Sequence, residues 1–225
     1  MSAKRREVSV KAGVHVIKPS ESVRLLGGQL HESLRWNLHI RDHKASLLNQ
    51  LISRINGLKK LCVNASFRTR LMVANGVVIS KLTYLIILWG GARQYLINML
   101  QVQQMTAARI VCGAGSWRLS RKQLLSRTGW LSVKQLFYYH SVLQVYKTLR
   151  NGAPRSLFLS LTCKYPRETR IATAGNIRQI SRCGATFTSR ASQFYNSVPV
   201  DVRTGSLPAV KSKLKKWITL NIPID

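Results

Sequence analysis

Cationic side chains far outnumber acidic ones in this sequence of 225 residues. It has 36 lysines and arginines against 7 aspartates and glutamates, so its formal net charge is +29. Charge of one sign destabilises a compact chain by self-repulsion unless a polyanion screens it. Because 45% of the residues are hydrophobic, the chain can still fold around a sizeable core, as one domain or two small ones. The imbalance predicts nucleic acid as the partner, with an anionic membrane surface as the second choice.

The scarcity of carboxylates argues against catalysis. Two-metal nucleotidyl transfer needs at least two carboxylates held close together, because they must neutralise both cations. The acids are scattered, with no two adjacent or one helical turn apart: Glu7, Glu21, Glu32, Asp42, Glu168, Asp201 and Asp225. Glu32 and Asp42 are the best candidate pair, although helix starts and salt bridges account for them better. We therefore predict no catalytic residues, and we keep an active nucleotidyltransferase or nuclease that uses these two acids and a histidine as the alternative.

Motifs for metals and cofactors are also weak. His39 and His43 stand four residues apart, as two ligands on one helix face would, but no third ligand is evident nearby. The four cysteines form no Cys-x-x-Cys pair, so they are predicted to be reduced, partly buried thiols and not a zinc ribbon or a redox dithiol. Gly113 and Gly115 follow a helical pattern, which indicates a helix end and not a phosphate-binding loop. We predict neither a metal nor a cofactor.

The beginning of the chain has the pattern of a small β element. From Glu7 to Ile17 apolar and polar residues alternate, which is the period of a half-buried strand. Arg24 to Leu30 predicts a second short strand, in which the paired glycines indicate a bulge or a close approach of backbone. No secretory signal is evident, and the most apolar window, Val77 to Trp89, falls short of a membrane span. We expect no membrane partner and a nuclear or cytoplasmic location.

The chain beyond about residue 37 is predicted to be mostly helical. Between residues 162 and 189 arginine, threonine, serine and glycine dominate without a clear period, which predicts an irregular basic linker. A break is expected near Asn75 and Gly76, within the second of the helical segments. Apolar residues recur at helical spacing in these segments: Leu47–Leu61, Arg68–Trp89, Arg93–Val111, Leu119–Ser126, Val133–Arg150 and Leu207–Ile218.

These patterns together predict a mainly α (α+β) fold, in which a small N-terminal β-hairpin precedes a helical bundle. The predicted divisions are residues 1–36 for the hairpin, 37–160 for the helical domain, 161–189 for the basic linker and 190–225 for a C-terminal helical segment.

Positive charge is spread over many short clusters. Trp36, Trp117, Trp130 and Trp217 are interleaved with these clusters, which suits a groove that follows phosphates while aromatic rings stack on bases. Core packing is the favoured alternative for Trp217, because it lies on the apolar stripe of its helix. The basic residues that we predict to contact nucleic acid on the helical part are Lys59, Lys60, Arg68, Arg70, Arg118, Arg121 and Lys122.

Several short motifs occur in the order found in one known family. Arg24–Leu30 and Leu34–Ile40 resemble the Leu-Gly-x-x-Leu and Trp-x-x-His-Ile motifs that follow the catalytic palm in LINE-type, non-LTR retrotransposon reverse transcriptases. The resemblance spans about residues 8 to 217. Further segments that are similar to this family follow in its order: Lys81–Tyr84 with Trp89–Gly90, Leu100–Ile110, Gly129–Leu131, and Arg190–Pro199 with Val202–Arg203.

The resemblance implies a fold and a partner. The β element would be the primer-grip hairpin at the edge of the palm, with Arg24 and Gln29 near the primer end. The helical domain would be the thumb, which closes on the template-primer duplex, so its basic residues would contact phosphates. The implied partner is RNA or an RNA–DNA duplex, and a polymerase palm on another chain would complete the enzyme.

The chain also departs from this family. The aromatic-x-Asp-Asp motif that binds the catalytic metals is absent, as are the fingers and most of the palm, so the resemblance implies no polymerase activity for this chain. Tyr84 lacks the preceding proline of the family motif, and Phe194–Tyr195 replaces its Leu-Trp, as in a drifted copy. The initial Met1 suggests a reading frame that begins inside the element, either as a relic or as a gene product in its own right. We expect a nucleic-acid-binding fragment of a reverse transcriptase that is catalytically silent by itself.

Overall fold

The computed structural model describes residues 10–17, 20–162, 176–177 and 187–224. Its described part is mainly α-helical, and short antiparallel strands precede the helices. The predicted fold class is therefore confirmed.

Two hairpins open the described chain. In the first, β1 (Val10–Ala12) pairs with β2 (His15–Ile17), and in the second β3 (Ser22–Leu25) pairs with β4 (Gly28–His31). The prediction of one strand from residue 7 to 17 is thus wrong in its described part, because Gly13 takes a φ of +62° and reverses the chain. Alternating hydrophobicity continues through the turn, so the pattern alone could not locate it.

The second hairpin corrects the other predicted strand. Leu26 and Gly27 have φ angles of +48° and +79°. Positive φ at both central residues is the geometry that a two-residue hairpin turn needs to match the twist of its strands. Gly27 therefore belongs to a turn in the middle of the predicted strand, and Gly28 begins β4, so that Arg24 lies opposite Gln29 in the register.

Helices make up the rest of the described chain. Serines cap four of them, since the side chains of Ser46, Ser66, Ser120 and Ser132 each accept a hydrogen bond from the backbone N–H three residues later. The helices are α1 (Leu47–Leu61), α2 (Phe67–Ala74), α3 (Ser80–Thr83), α4 (Ile86–Trp89), α5 (Gln94–Cys112), α6 (Arg121–Thr128), α7 (Val133–Asn151), α8 (Arg155–Thr162), α9 (Phe187–Ser197), α10 (Val200–Arg203) and α11 (Leu207–Asn221).

The segment from α2 to α4 differs from its prediction. The expected break near Asn75 is instead a π-helical turn, Asn75–Ile79, which joins α2 to α3 without interrupting the helix. The chain breaks later, at Leu85, whose φ is +55°. Trp89 at the end of α4 is fully buried, and its Nε1 donates to the carbonyl of Tyr84 at 2.9 Å. The indole thereby holds the break in place.

Helices α5 and α7 form the centre of the core. Helix α5 packs against α1, α2 and α6, while α7 packs against α4, α8, α9 and α11. The predicted stripes are largely confirmed: most of the apolar residues of α1 are buried, and Val210, Leu214 and Ile218 of α11 are buried as well. Gly113 ends α5, as the sequence predicts, and Gly152 ends α7.

The predicted linker, residues 161–189, lies mostly outside the described residues. Helix α8 ends at Thr162, and α9 begins at Phe187. Between them only residues 176 and 177 are described, and Ile177 is tied to α9 by two hydrogen bonds between its backbone and the side chain of Asn196, at 2.9 and 2.7 Å. The proposed division into domains stays a prediction.

Candidate nucleic-acid interface

The second hairpin is fixed against the helical domain by three contacts. The backbone N–H of Gln29 donates to Nδ1 of His39 at 3.4 Å, and the Tyr84 hydroxyl donates to the carbonyl of Leu26 at 2.5 Å. Gly28 lies so close to the helices that a Cβ there would be 3.1 Å from Cδ1 of Leu85. Arg24 and Gln29, the two residues predicted to lie at the primer end, therefore stand on a hairpin with a defined position.

Three cations from three elements approach each other beside this hairpin. Arg24 lies on β3, Arg54 on α1 and Lys81 on α3, and Arg54 donates to the carbonyl of Val77 at 2.9 Å. Burial lowers the pKa of Lys81, and the charges of Arg54 and Arg24 lower it further. The Lys81 ammonium also lies 5.5 Å from the centre of the Tyr84 ring. We call these three residues the hairpin cluster.

A second group of cations surrounds the end of α5. Arg70 on α2 donates from its Nε to the carbonyl of Val111 at 3.0 Å. Burial raises the pKa of the Cys112 thiol, while Arg127 on α6 and Arg70 act in the opposite direction. Both guanidinium groups therefore lie close enough to Cys112 to act on its charge. Positively charged side chains from α2 and α6 therefore lie near the end of α5.

The loop after α5 carries the next predicted residues. Arg118 places its guanidinium 4.7 Å from the centre of the Trp117 ring, and both side chains are exposed. Arg121 and Lys122 occupy the exposed first turn of α6 and line a surface groove with the C-terminal segment 219–224. We call the surface formed by Arg70, Arg118, Arg121, Lys122 and Arg127, together with Trp117, the α5–α6 surface.

The other residues predicted to bind nucleic acid belong neither to the hairpin cluster nor to the α5–α6 surface. Lys59 and Lys60 are exposed at the C-terminal end of α1, and Arg68 is exposed in the first turn of α2. A lysine near a helix C-terminus interacts favourably with the helix dipole, which gives Lys59 and Lys60 a structural role as well. Nucleic-acid binding by the nine predicted residues stays a prediction.

The tryptophans divide differently from the prediction. Trp130 is buried, and its Nε1 donates to Oδ1 of Asn75 at 2.7 Å. Trp36 and Trp217 are partly buried against the core. Base stacking does not fit the burial of Trp130, and Trp36 and Trp217 have only part of their surface free for it. Trp117 remains available for it.

The acids and histidines considered for catalysis are not assembled into a metal site. Within the described residues there is no group of three or more histidine, cysteine, aspartate or glutamate side chains that could hold a metal ion. Asp42 pairs with its neighbour Arg41 at 2.6 Å. Nδ1 of His43 accepts from the backbone of Ala45 at 3.0 Å, and Nδ1 of His39 is engaged by Gln29.

The described cysteines also lack the arrangement of a metal site. Cys62 is buried and Cys112 half-buried, and both are free thiols. Cys163 and Cys183 lie outside the described residues.

Sequence reasoning missed Arg54, Lys81 and Arg127. Arg54 and Arg127 are single cations on the polar faces of α1 and α6, where nothing in the local pattern separates them from ordinary solvated residues. Lys81 had a signal, because it begins the Lys81–Tyr84 segment that resembles the family motif. Only the packing of β3, α1 and α3 brings Arg54 and Lys81 near Arg24.

No helix of the described part is long and apolar enough to cross a bilayer. No protein-family model, no curated protein and no solved structure matches this chain.

Proposed function

We propose that this chain is a nucleic-acid-binding module that grips the phosphates of RNA or of an RNA–DNA duplex, and that it derives from the thumb region of a retrotransposon reverse transcriptase. It holds the duplex without catalysing nucleotidyl transfer. A polymerase palm, if one takes part, is supplied by another chain.

The hairpin cluster is the observation that carries this proposal. Arg24, Arg54 and Lys81 come from separate elements, and the half-buried Lys81 lies within reach of the charges of the two exposed arginines. A phosphodiester group placed among them would replace repulsion by attraction, and guanidinium groups match its oxygens geometrically. Cations of one sign that a fold brings together from three elements favour an anionic ligand.

The net charge of the whole chain also favours an anionic partner. With 36 cationic and 7 acidic side chains, most cations have no carboxylate with which to pair. Phosphate contacts fix a protein on a nucleic acid without selecting its sequence. The module therefore binds many sequences with similar affinity.

A salt titration tests this proposal. Binding of the full chain to a short RNA–DNA hybrid is measured by fluorescence anisotropy between about 50 and 200 mM salt, and the logarithm of the association constant should fall by about 0.9 per decade of salt for each phosphate neutralised. Two hybrids of unrelated sequence should give similar curves. A flat dependence on salt, or no binding at low salt, would overturn the proposal.

Catalytic silence is tested separately. The purified chain is mixed with a primed RNA template, magnesium and deoxynucleotides, with and without a supplied palm domain. We expect no extension by the chain alone, because two-metal catalysis needs converging carboxylates. Turnover by the isolated chain would instead favour the alternative of an active nucleotidyltransferase.

A further inference from the structure

Trp117 is the exposed tryptophan of this fold. All five tryptophans lie in the described residues, and four of them are buried or packed against the core. Trp117 keeps 71% of its surface exposed. An indole this exposed leaves ring surface open to a ligand.

The loop that carries Trp117 holds it outward. Gly113 and Gly115, with φ angles of +76° and +77°, turn the chain away from the end of α5. The buried Ser116 then anchors the loop, since its hydroxyl donates to the carbonyl of Arg109 at 3.0 Å. Leu119, two residues beyond Trp117, packs against the core. The ring therefore projects from a loop that is fastened on both sides.

Cations lie at this ring and at the end of the helix before it. The Arg118 guanidinium stacks over the indole at 4.7 Å from its centre. Arg70 and Arg127 act on Cys112, at the end of the helix from which the loop emerges. An aromatic ring combined with nearby cations matches a nucleotide, which has a π-face and a phosphate.

We propose that Trp117 is a stacking platform for an unpaired nucleobase, so that the α5–α6 surface binds single-stranded nucleic acid. The base lies against the indole, and neighbouring phosphates lie near Arg118 and Arg70. This inference rests on the proposed nucleic-acid binding and specifies a single strand as the ligand of this surface. The bases of a duplex are stacked on each other and therefore cannot stack on Trp117.

A protein partner would suit this surface less well. It would have to bring both an apolar patch for the indole and acidic groups for the arginines. A single strand provides both in every nucleotide, and every base has a π-face, so stacking tolerates any sequence.

The test compares a single strand with a duplex at one salt concentration. The full chain is titrated with an oligouridylate of about 12 nucleotides, a length within the usual site sizes of single-strand binders, and with an RNA–DNA hybrid hairpin of matched phosphate number. Trp117→Ala should weaken binding of the single strand by about 5- to 100-fold, as removal of one base stack does. Binding of the hybrid should change by less than about 2-fold, since its phosphate contacts remain.

Two further variants identify the cause. Trp117→Phe keeps an aromatic face and should restore most of the single-strand affinity. Arg121→Gln removes one charge and should weaken both ligands to a similar extent. Intrinsic fluorescence gives a readout independent of affinity: oligouridylate should quench tryptophan emission in the parent protein, and Trp117→Phe should remove most of that quenching.

Failure of the inference differs from failure of the proposed function. If the parent chain binds the hybrid and Trp117→Ala leaves the single strand unaffected, or weakens both ligands equally, the stacking platform is refuted while nucleic-acid binding stands. The first of these results would point to a protein as the occupant. If neither ligand binds at low salt, the proposed function itself fails.

Discussion

Gly90 lies directly against the ring of Phe137, so that a Cβ on Gly90 would be 2.6 Å from Cγ of that ring and 2.5 Å from the carbonyl oxygen of Ile86. Real side chains do not approach so closely, and the carbonyl belongs to the backbone of α4, which cannot swing away. Glycine at this position is what allows α4 to pack against α7.

The first prediction concerns this contact. Gly90→Ala should lower the free energy of unfolding by about 1–3 kcal/mol, because overpacking moves side chains and backbone. Guanidinium denaturation followed by circular dichroism measures the change. Gly57→Ala is the matched control: its Cβ would meet nothing within 4 Å, and alanine within helix α1 should stabilise by about 0.5–1 kcal/mol. Equal effects of both substitutions would contradict the assigned contact.

The second prediction concerns a buried glutamine network. Gln104 donates to the carbonyl of Leu131 at 2.8 Å and accepts from Gln101 at 2.9 Å, and Gln101 in turn accepts from the backbone of Val133 at 2.8 Å. Both side chains are buried. They join the middle of α5 to the start of α7.

Replacing Gln104 by leucine leaves the Leu131 carbonyl without this donor. Gln104→Leu should therefore reduce the free energy of unfolding by about 1–3 kcal/mol, the cost of an unsatisfied buried polar group. Gln103→Leu, at the half-buried neighbouring position of the same helix, should change it by less than about 0.5 kcal/mol. The denaturant midpoints of the two variants measure these changes. If Gln103→Leu destabilises the protein more than Gln104→Leu does, the glutamine network does not stabilise the fold as proposed.

The third prediction concerns the hairpin cluster. The triple variant Arg24→Gln, Arg54→Gln, Lys81→Met should weaken binding to an RNA–DNA hybrid and reduce the salt slope by about 1 for each phosphate that the variant no longer neutralises. Its free energy of unfolding should stay within about 1 kcal/mol of the parent's, because the loss of like-charge repulsion offsets the lost hydrogen bond from Arg54 to Val77.

A control with the same net charge separates position from total charge. It replaces three exposed cations of the C-terminal half, Lys147, Arg155 and Lys211, by neutral residues of similar length. We expect this control to retain a steeper salt slope than the cluster variant. Identical salt slopes would mean that only the net charge of the protein determines binding. The hairpin cluster would then not be a specific phosphate-binding site.

Local sequence patterns predicted most of the helical segments but not the surfaces. A glycine stop acts within a few residues, so Gly113 could be assigned as a helix end from its neighbours, whereas the break at Leu85 could not. The turn at Gly13 was missed because apolar and polar residues alternate on both sides of it. Gln101 and Gln104 were missed because an amide does not reveal in sequence whether it will find buried partners.

The candidate interface was harder to predict because burial and tertiary contacts do not show in the local sequence. Trp117 and Trp130 both lie in segments that mix basic and apolar residues, and only the packing shows that one is buried and the other exposed. The hairpin cluster depends on the crossing of three elements that are far apart in the chain. Charge composition therefore predicted a class of partner, while the tertiary fold was needed to propose where it binds.

The fourth prediction concerns pH and two histidines. Burial lowers the pKa of His39, and the charge of Lys81 lowers it further. Burial likewise lowers the pKa of His140, with added effects of Lys147 and Lys211. In the unfolded chain both groups take up a proton near pH 6.5, whereas the folded chain resists it. Protons therefore bind the unfolded state first as the pH falls, and the folded state loses stability.

The free energy of unfolding should accordingly be independent of these histidines above about pH 7.5 and should fall between about pH 6.5 and 5, by at most about 1.4 kcal/mol per pH unit for each histidine. Urea denaturation at a series of pH values measures this slope. His39→Gln keeps an acceptor for the backbone N–H of Gln29 but cannot titrate, so it should remove part of the slope, and His39→Gln with His140→Gln should remove most of it. Carboxylates of an unfolded chain titrate mainly near pH 4, so they contribute little to the slope in this range. If the double variant loses stability as steeply as the parent, these two histidines are not the groups that cause the slope.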